Sequence, residues 1–110
     1  LGGKDMKEEG IPGHYLRLRD KFGSIFDSYE NLGKSTREQS PFDEKTSLLI
    51  QLAASAAIRS EGAVHSHTRR ALQAGATPDE LYYAIILLIP TIGWPTVAAA
   101  LSWMEDVLEK

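Results

Sequence analysis

The residues with the types and spacing to do chemistry lie in one stretch, Ser60-Glu61-Gly62-Ala63-Val64-His65-Ser66-His67. On a helix, His67 comes one turn after Ala63 and two turns after Ser60, so the three share a face. If that face lines a cleft, its imidazole can give or take a proton near neutral pH. The Ser60 hydroxyl and the unpaired N–H groups of a first helical turn can hold an anion or an oxyanion. A second reading makes His67 a buried histidine, bonded to a carbonyl or to Ser60. The residues alone favour this second reading.

Other chemistries fit the spacing less well. His65 lies about 200° round a helix from His67, so the two are not expected to share a metal, and no metal ligand is assigned. Ser60 as a nucleophile needs a base beside it, yet His67 is about 10 Å further along a helix by rise alone. Ser60 therefore reads as a helix cap and Glu61 as a partner of the helix dipole. Trp94, between Gly93 and Pro95, is placed either to cover a pocket or simply to pack.

These residues need a scaffold, and the chain of 110 residues suits one domain. Hydrophobic content of 43% and charged content of 25% are those of a globular protein. Twelve basic against fifteen acidic residues leave −3, which gives no general attraction for nucleic acid or anionic membranes. The Arg17, Arg19 and Lys21 cluster contains Asp20 and reads as a solvated helix face. There is no cysteine, which excludes disulfides, thiolate catalysis and cysteine-ligated zinc and fits a cytoplasmic location. No signal peptide is expected. The apolar run from Ala84 to Ile89 is far short of the ~20 residues that span a bilayer.

The pattern is helical throughout. Residues 1–13, rich in glycine and charge, are expected to be a flexible arm, and 14–110 a single helical domain. Tyr15, Leu18, Phe22, Ile25, Tyr29 and Leu32 are spaced 3, 4, 3, 4, 3, which predicts a first helix from His14 to Leu32, ended by Gly33. A polar loop, 34–40, follows. Ser40 and Pro41 are expected to open a second helix. Leu48 to Ile58 makes it apolar on most of its surface, with Gln51 and Ser55 as polar exceptions on one face. A third helix starts at Ser60 and ends at Ala74-Gly75-Ala76. Thr77-Pro78-Asp79-Glu80 carries a capping box for a fourth. That helix is apolar all round, to Ile89, more surface than one small chain can cover, which predicts an oligomer. Pro90 breaks or kinks it. Pro95 opens a fifth, with Val97, Leu101, Met104 and Leu108 as its stripe.

The pattern Glu61-Gly62-x-x-x-x-His67-x-Arg69-x-Ala71-Leu72-x-Ala74-Gly75-Ala76-Thr77 resembles the carboxymuconolactone decarboxylase and alkylhydroperoxidase D superfamily. The likeness extends from about Phe42 to Trp103. It implies an all-α fold, a five- to six-helix bundle that assembles into trimers or hexamers. In the redox branch of that superfamily the stretch reads Cys-x-x-Cys-x-x-x-His, with a glutamate one helix earlier. The matching positions here are Ser60, Ala63, His67 and Leu48, so only the histidine is kept. Thiol–disulfide exchange needs a thiolate and a second sulfur, and serine supplies neither. The decarboxylase branch also lacks the cysteine pair and keeps the histidine. In family members with Glu-Gly at this point, the glutamate lies near the pocket mouth.

The resulting expectation is a cofactor-free family member without thiol peroxidase chemistry. It binds a small anionic or carbonyl compound near His67, with Ser60, Glu61, Ala63 and Trp94 around it. Any catalysis is proton transfer of the lyase or isomerase type. Expected partners are other copies of the chain and a small-molecule ligand, with no nucleic acid and no membrane. The alternative is a non-catalytic oligomeric scaffold of the same fold. A residual peroxidase or oxidoreductase role is a third reading.

Overall fold

The computed structural model describes residue 11 and residues 13–109. The expected arm falls almost wholly outside them. Among the described residues there are six helices of two turns or more, one four-residue helix and no strand. The contacts divide the chain at residue 40 into two units, each with its own logic.

The first unit holds α1 (Gly13–Lys21) and α2 (Gly23–Gln39). One continuous helix to Leu32 was expected. Instead the backbone breaks at Phe22, with φ −118° and ψ 47°, just before Gly23. The stripe spacing runs unbroken across that point, so periodicity alone gives no sign of the break. Gly33 does not end α2, which continues six residues further to Gln39 with Ser40 as its C-cap. A mid-helix glycine costs only about 1 kcal/mol, and Thr36 Oγ1 donates to the Gly33 carbonyl at 2.8 Å. The region expected as a polar loop is therefore helix. Tyr15 and Phe26 meet edge to face at 5.4 Å. Tyr15 Oη and Arg19 Nη2 both donate to the Glu30 carboxylate, at 3.2 and 3.3 Å. These contacts clamp α1 to α2, and burial beside Glu30 raises the Tyr15 pKa. Neither helix has a buried residue, and Ile25, Tyr29 and Leu32 of the predicted stripe are exposed.

The second unit holds α3 (Glu44–Ala57), α4 (Glu61–Gln73), α5 (Pro78–Ile86), α6 (Ile89–Ile92) and α7 (Trp94–Leu108). α3 packs on α4, α5 and α7, and α7 also meets α4, α5 and α6. The core is Leu48, Leu52 and Ala56 from α3, Val64 and Ala71 from α4, and Ala76 from the turn after it. Leu81 and Ile85 join from α5, and Val97, Ala100 and Met104 from α7. The central place expected for the second helix is thus found. Its start is not at Ser40. Asp43 is the N-cap and accepts from Thr46 N at 2.7 Å. A carboxylate does this as well as a serine hydroxyl and also meets the positive helix end.

Two helices end in the same six-residue turn. After α4, Gly75 at φ 97° lets Ala76 N reach the Ala71 carbonyl at 2.9 Å. After α3, Ser60 N reaches the Ser55 carbonyl at 3.1 Å, but the left-handed position, φ 59°, is held by Arg59. Its Nη1 donates to Thr96 Oγ1 of α7 at 3.0 Å.

The capping box at Thr77 forms as read: Glu80 N donates to Thr77 Oγ1 at 3.2 Å, and Thr77 N to Glu80 Oε1 at 2.9 Å. α5 stops at Ile86, the residue whose carbonyl a proline at 90 clashes with and cannot bond. Pro90 then lies in the first turn of α6. Gly93, at φ 89° and ψ 155°, turns the chain into α7 through a conformation closed to most side chains. No helix of the described residues is long and apolar enough to cross a membrane.

Candidate functional site

Ser60 is the N-cap of α4, its Oγ accepting from Ala63 N at 3.3 Å. Glu61 is therefore the first helical residue and Ala63 the third. Four residues on, His67 is partly buried and turned back towards α3. Its Nδ1 lies 3.1 Å from Ser55 Oγ and 3.0 Å from the Ala63 carbonyl oxygen. Ser55 is buried, and its hydroxyl donates to the Gln51 carbonyl at 2.7 Å. The residue brought to His67 is thus Ser55, which sequence reasoning placed on a polar face of α3 without linking it to the imidazole. Ser60, the serine expected on the face of His67, is engaged as a cap. It remains tied to the site through the backbone, because its N–H bonds the carbonyl of the same Ser55.

The other expected residues divide. Ala63 contributes a carbonyl to the ring. Glu61 is exposed at the start of α4, its carboxylate 4.0 Å from His65 Nε2. Trp94 opens α7 and is 57% exposed. His65 points away from His67, as the angle between them predicts, and its Nε2 is 3.1 Å from Asp106 Oδ2. Glu61, His65 and Asp106 bring one possible ligand atom each within 4.8 Å of one another. A divalent cation fits such a spacing, but a histidine lying between two exposed carboxylates has the same shape. Asp106, forty-one residues away, carries no sequence signal that pairs it with His65.

Leu48, which stands where the redox branch has its glutamate, is 2% exposed and belongs to the core. Among the described residues the site therefore holds one imidazole, one buried hydroxyl and the start of a well-capped helix. Such a set can accept and return a proton and can offer first-turn N–H groups to an oxygen. It cannot exchange thiols.

Comparison with known proteins bears on the fold and the family. The crystal structure of apo-lpg0406, a carboxymuconolactone decarboxylase family protein from Legionella pneumophila, superposes with a TM-score of 0.75. The two share 21% identity, over 96% of this chain and 90% of that one, a likeness of fold. No match is found among curated proteins. A sequence model of the carboxymuconolactone decarboxylase family matches residues 24–106, well over half the chain. With that match, and an all-helical fold to go with it, the chain belongs to the carboxymuconolactone decarboxylase family.

Proposed function

We propose that the protein binds a small anionic or carbonyl-bearing molecule beside His67, and that any reaction there is decarboxylase-like proton transfer without a cofactor. The supporting observation is the seating of the His67 ring. Its Nδ1 is held by Ser55 and Ala63, next to the capped start of α4. A ring fixed in this way is ready for proton transfer. Ser60, Glu61 and Ala63 at that helix start, and Trp94 at the start of α7, are the surrounding residues in this reading. Peroxidase chemistry is not proposed, since the chain has no cysteine.

His67→Gln tests the proposal. The variant should keep its helical spectrum and abolish binding in a thermal-shift panel of small carboxylates and lactones. His65→Gln should leave that binding unchanged. A loss of several kcal/mol of stability on His67→Gln would mark the histidine as structural.

A scaffold role is the second reading, supported by a different feature. Ile50, Ala54 and Ala57 are exposed along one face of α3, with Ile58 at its C-cap, as are Tyr83 of α5 and Leu87 at the C-cap of that helix. Such faces suit other copies of the chain, assembled as a trimer or hexamer. We place the assembly in the cytoplasm, in keeping with the absence of cysteine.

A further inference from the structure

The hydrogen bonds around His67 decide which of its nitrogens carries the proton. The Ala63 carbonyl oxygen, 3.0 Å from Nδ1, can only accept. Ser55 has a single hydroxyl proton, and its 2.7 Å bond to the Gln51 carbonyl uses it. Towards Nδ1, at 3.1 Å, Ser55 Oγ therefore also accepts. A ring nitrogen facing two acceptors must bear hydrogen, so the neutral ring has its lone pair on Nε2.

Ser55 does more than complete that pair. Its carbonyl accepts the Ser60 N–H, which closes the turn from α3 into α4. The same residue thus sets the start of the helix that carries His67 and one of the two acceptors that orient the ring. Ser55 is 4% exposed, so water does not compete for its hydroxyl.

We propose that Ser55 is the positioning residue that makes Nε2 the basic nitrogen of the site. The ligand group that meets His67 is then one that brings a proton, an O–H or C–H acid beside a carbonyl, rather than a bare carboxylate. In the C–H case that bond breaks and the proton goes to Nε2. The electron pair passes to the carbonyl oxygen as an enolate, and the imidazolium keeps Nδ1–H on Ser55 and Ala63. Return of the proton restores the ring, and no oxidant or reductant is needed. The ligand class rests on the function proposed above; the tautomer does not.

Two-bond nitrogen–proton NMR of histidine-labelled protein reads the tautomer without any ligand. Spectra are read at a pH above which the ring signals no longer change, so that the neutral rings are compared. His14→Gln and His65→Gln assign the signals of the three histidines. His67 is expected as the Nδ1–H form in roughly nine rings of ten. Ser55→Ala leaves one acceptor of two and should lower the ratio of tautomers about fivefold. Ser55→Thr, which keeps a hydroxyl oxygen there, should restore it. A serine that served only packing would change stability and leave the ratio alone. An Nε2–H ring in the unaltered protein, or a ratio unmoved by Ser55→Ala, would overturn the proposal. If instead the tautomer is found as expected and His67→Gln still binds the panel, the function falls and the positioning role stands.

Discussion

At position 48 the resemblance aligns a relay glutamate with a leucine that lies in the core. That one side chain limits what could be restored by mutation. Ser60 and Ala63 stand at the N-cap and the third position of α4, the spacing of the redox branch's cysteines. Residues three apart on a helix have Cα atoms ~5–6 Å apart, which a disulfide accepts. Ser60→Cys with Ala63→Cys should therefore form an intrachain disulfide on mild oxidation, reducible by dithiothreitol. Two free thiols by mass spectrometry would show that this turn is not as described. Peroxidase activity should stay poor. Adding Leu48→Glu should not rescue it, because an unpaired carboxylate there costs roughly 3 kcal/mol or more. Urea unfolding of the Leu48→Glu single variant reads that loss, and an unchanged midpoint would contradict the burial of Leu48.

The capped helix starts show best what sequence can reveal about elements. The Thr77 capping box and the Ser60 cap were legible because the caps and the groups they bind lie within three residues. Ser40 was misread because Asp43, three residues later, is an equally good cap and serine also serves a helix end. Gly33 was misread because a glycine ends a helix only where the chain turns left-handed, and here it does not. The Ser55–His67 and His65–Asp106 pairs join different helices, so local spacing could not show them.

Two tests belong to this scale. Arg59 is left-handed at the end of α3, which costs a non-glycine residue about 1–2 kcal/mol. Arg59→Gly and Arg59→Ala both lose the bond to Thr96, so their difference isolates the backbone. Glycine should be the more stable by about 1 kcal/mol in urea, even after its greater unfolded-state entropy. Asp43 and Glu80 are held below their ordinary values of 3.8 and 4.5. For Asp43 the main cause is its bond from Thr46; for Glu80 it is the Thr77 N–H, then Lys45. Depressed carboxylates stabilise the fold above their unfolded pKa, and that part is lost as pH falls through the folded one. Stability should therefore fall as pH drops below about 4.5. In Asp43→Asn with Glu80→Gln the fall should be shallower, and an unchanged acid profile would show that the caps are not its source.

For the whole molecule, the exposed faces of α3 and α5 bear on assembly. Ile58 is 74% exposed and Leu87 70%, at the C-caps of helices whose opposite sides form the core. The apolar excess of these helices was legible in the sequence; which side faces the core was not. Light scattering at micromolar concentration should give three or six subunits. Ile58→Lys with Leu87→Lys should lower that number while the helical spectrum is kept. A monomer before mutation would remove the argument.

The central claim is that this family scaffold keeps a small-molecule site at His67 after losing its thiols. Amide shift perturbation on adding small β-keto acids and lactones tests it most directly. The account predicts shifts centred on Ser55, Ala63 and His67 that disappear in His67→Gln and persist in His65→Gln. Shifts centred elsewhere, or shifts that survive His67→Gln, would contradict it.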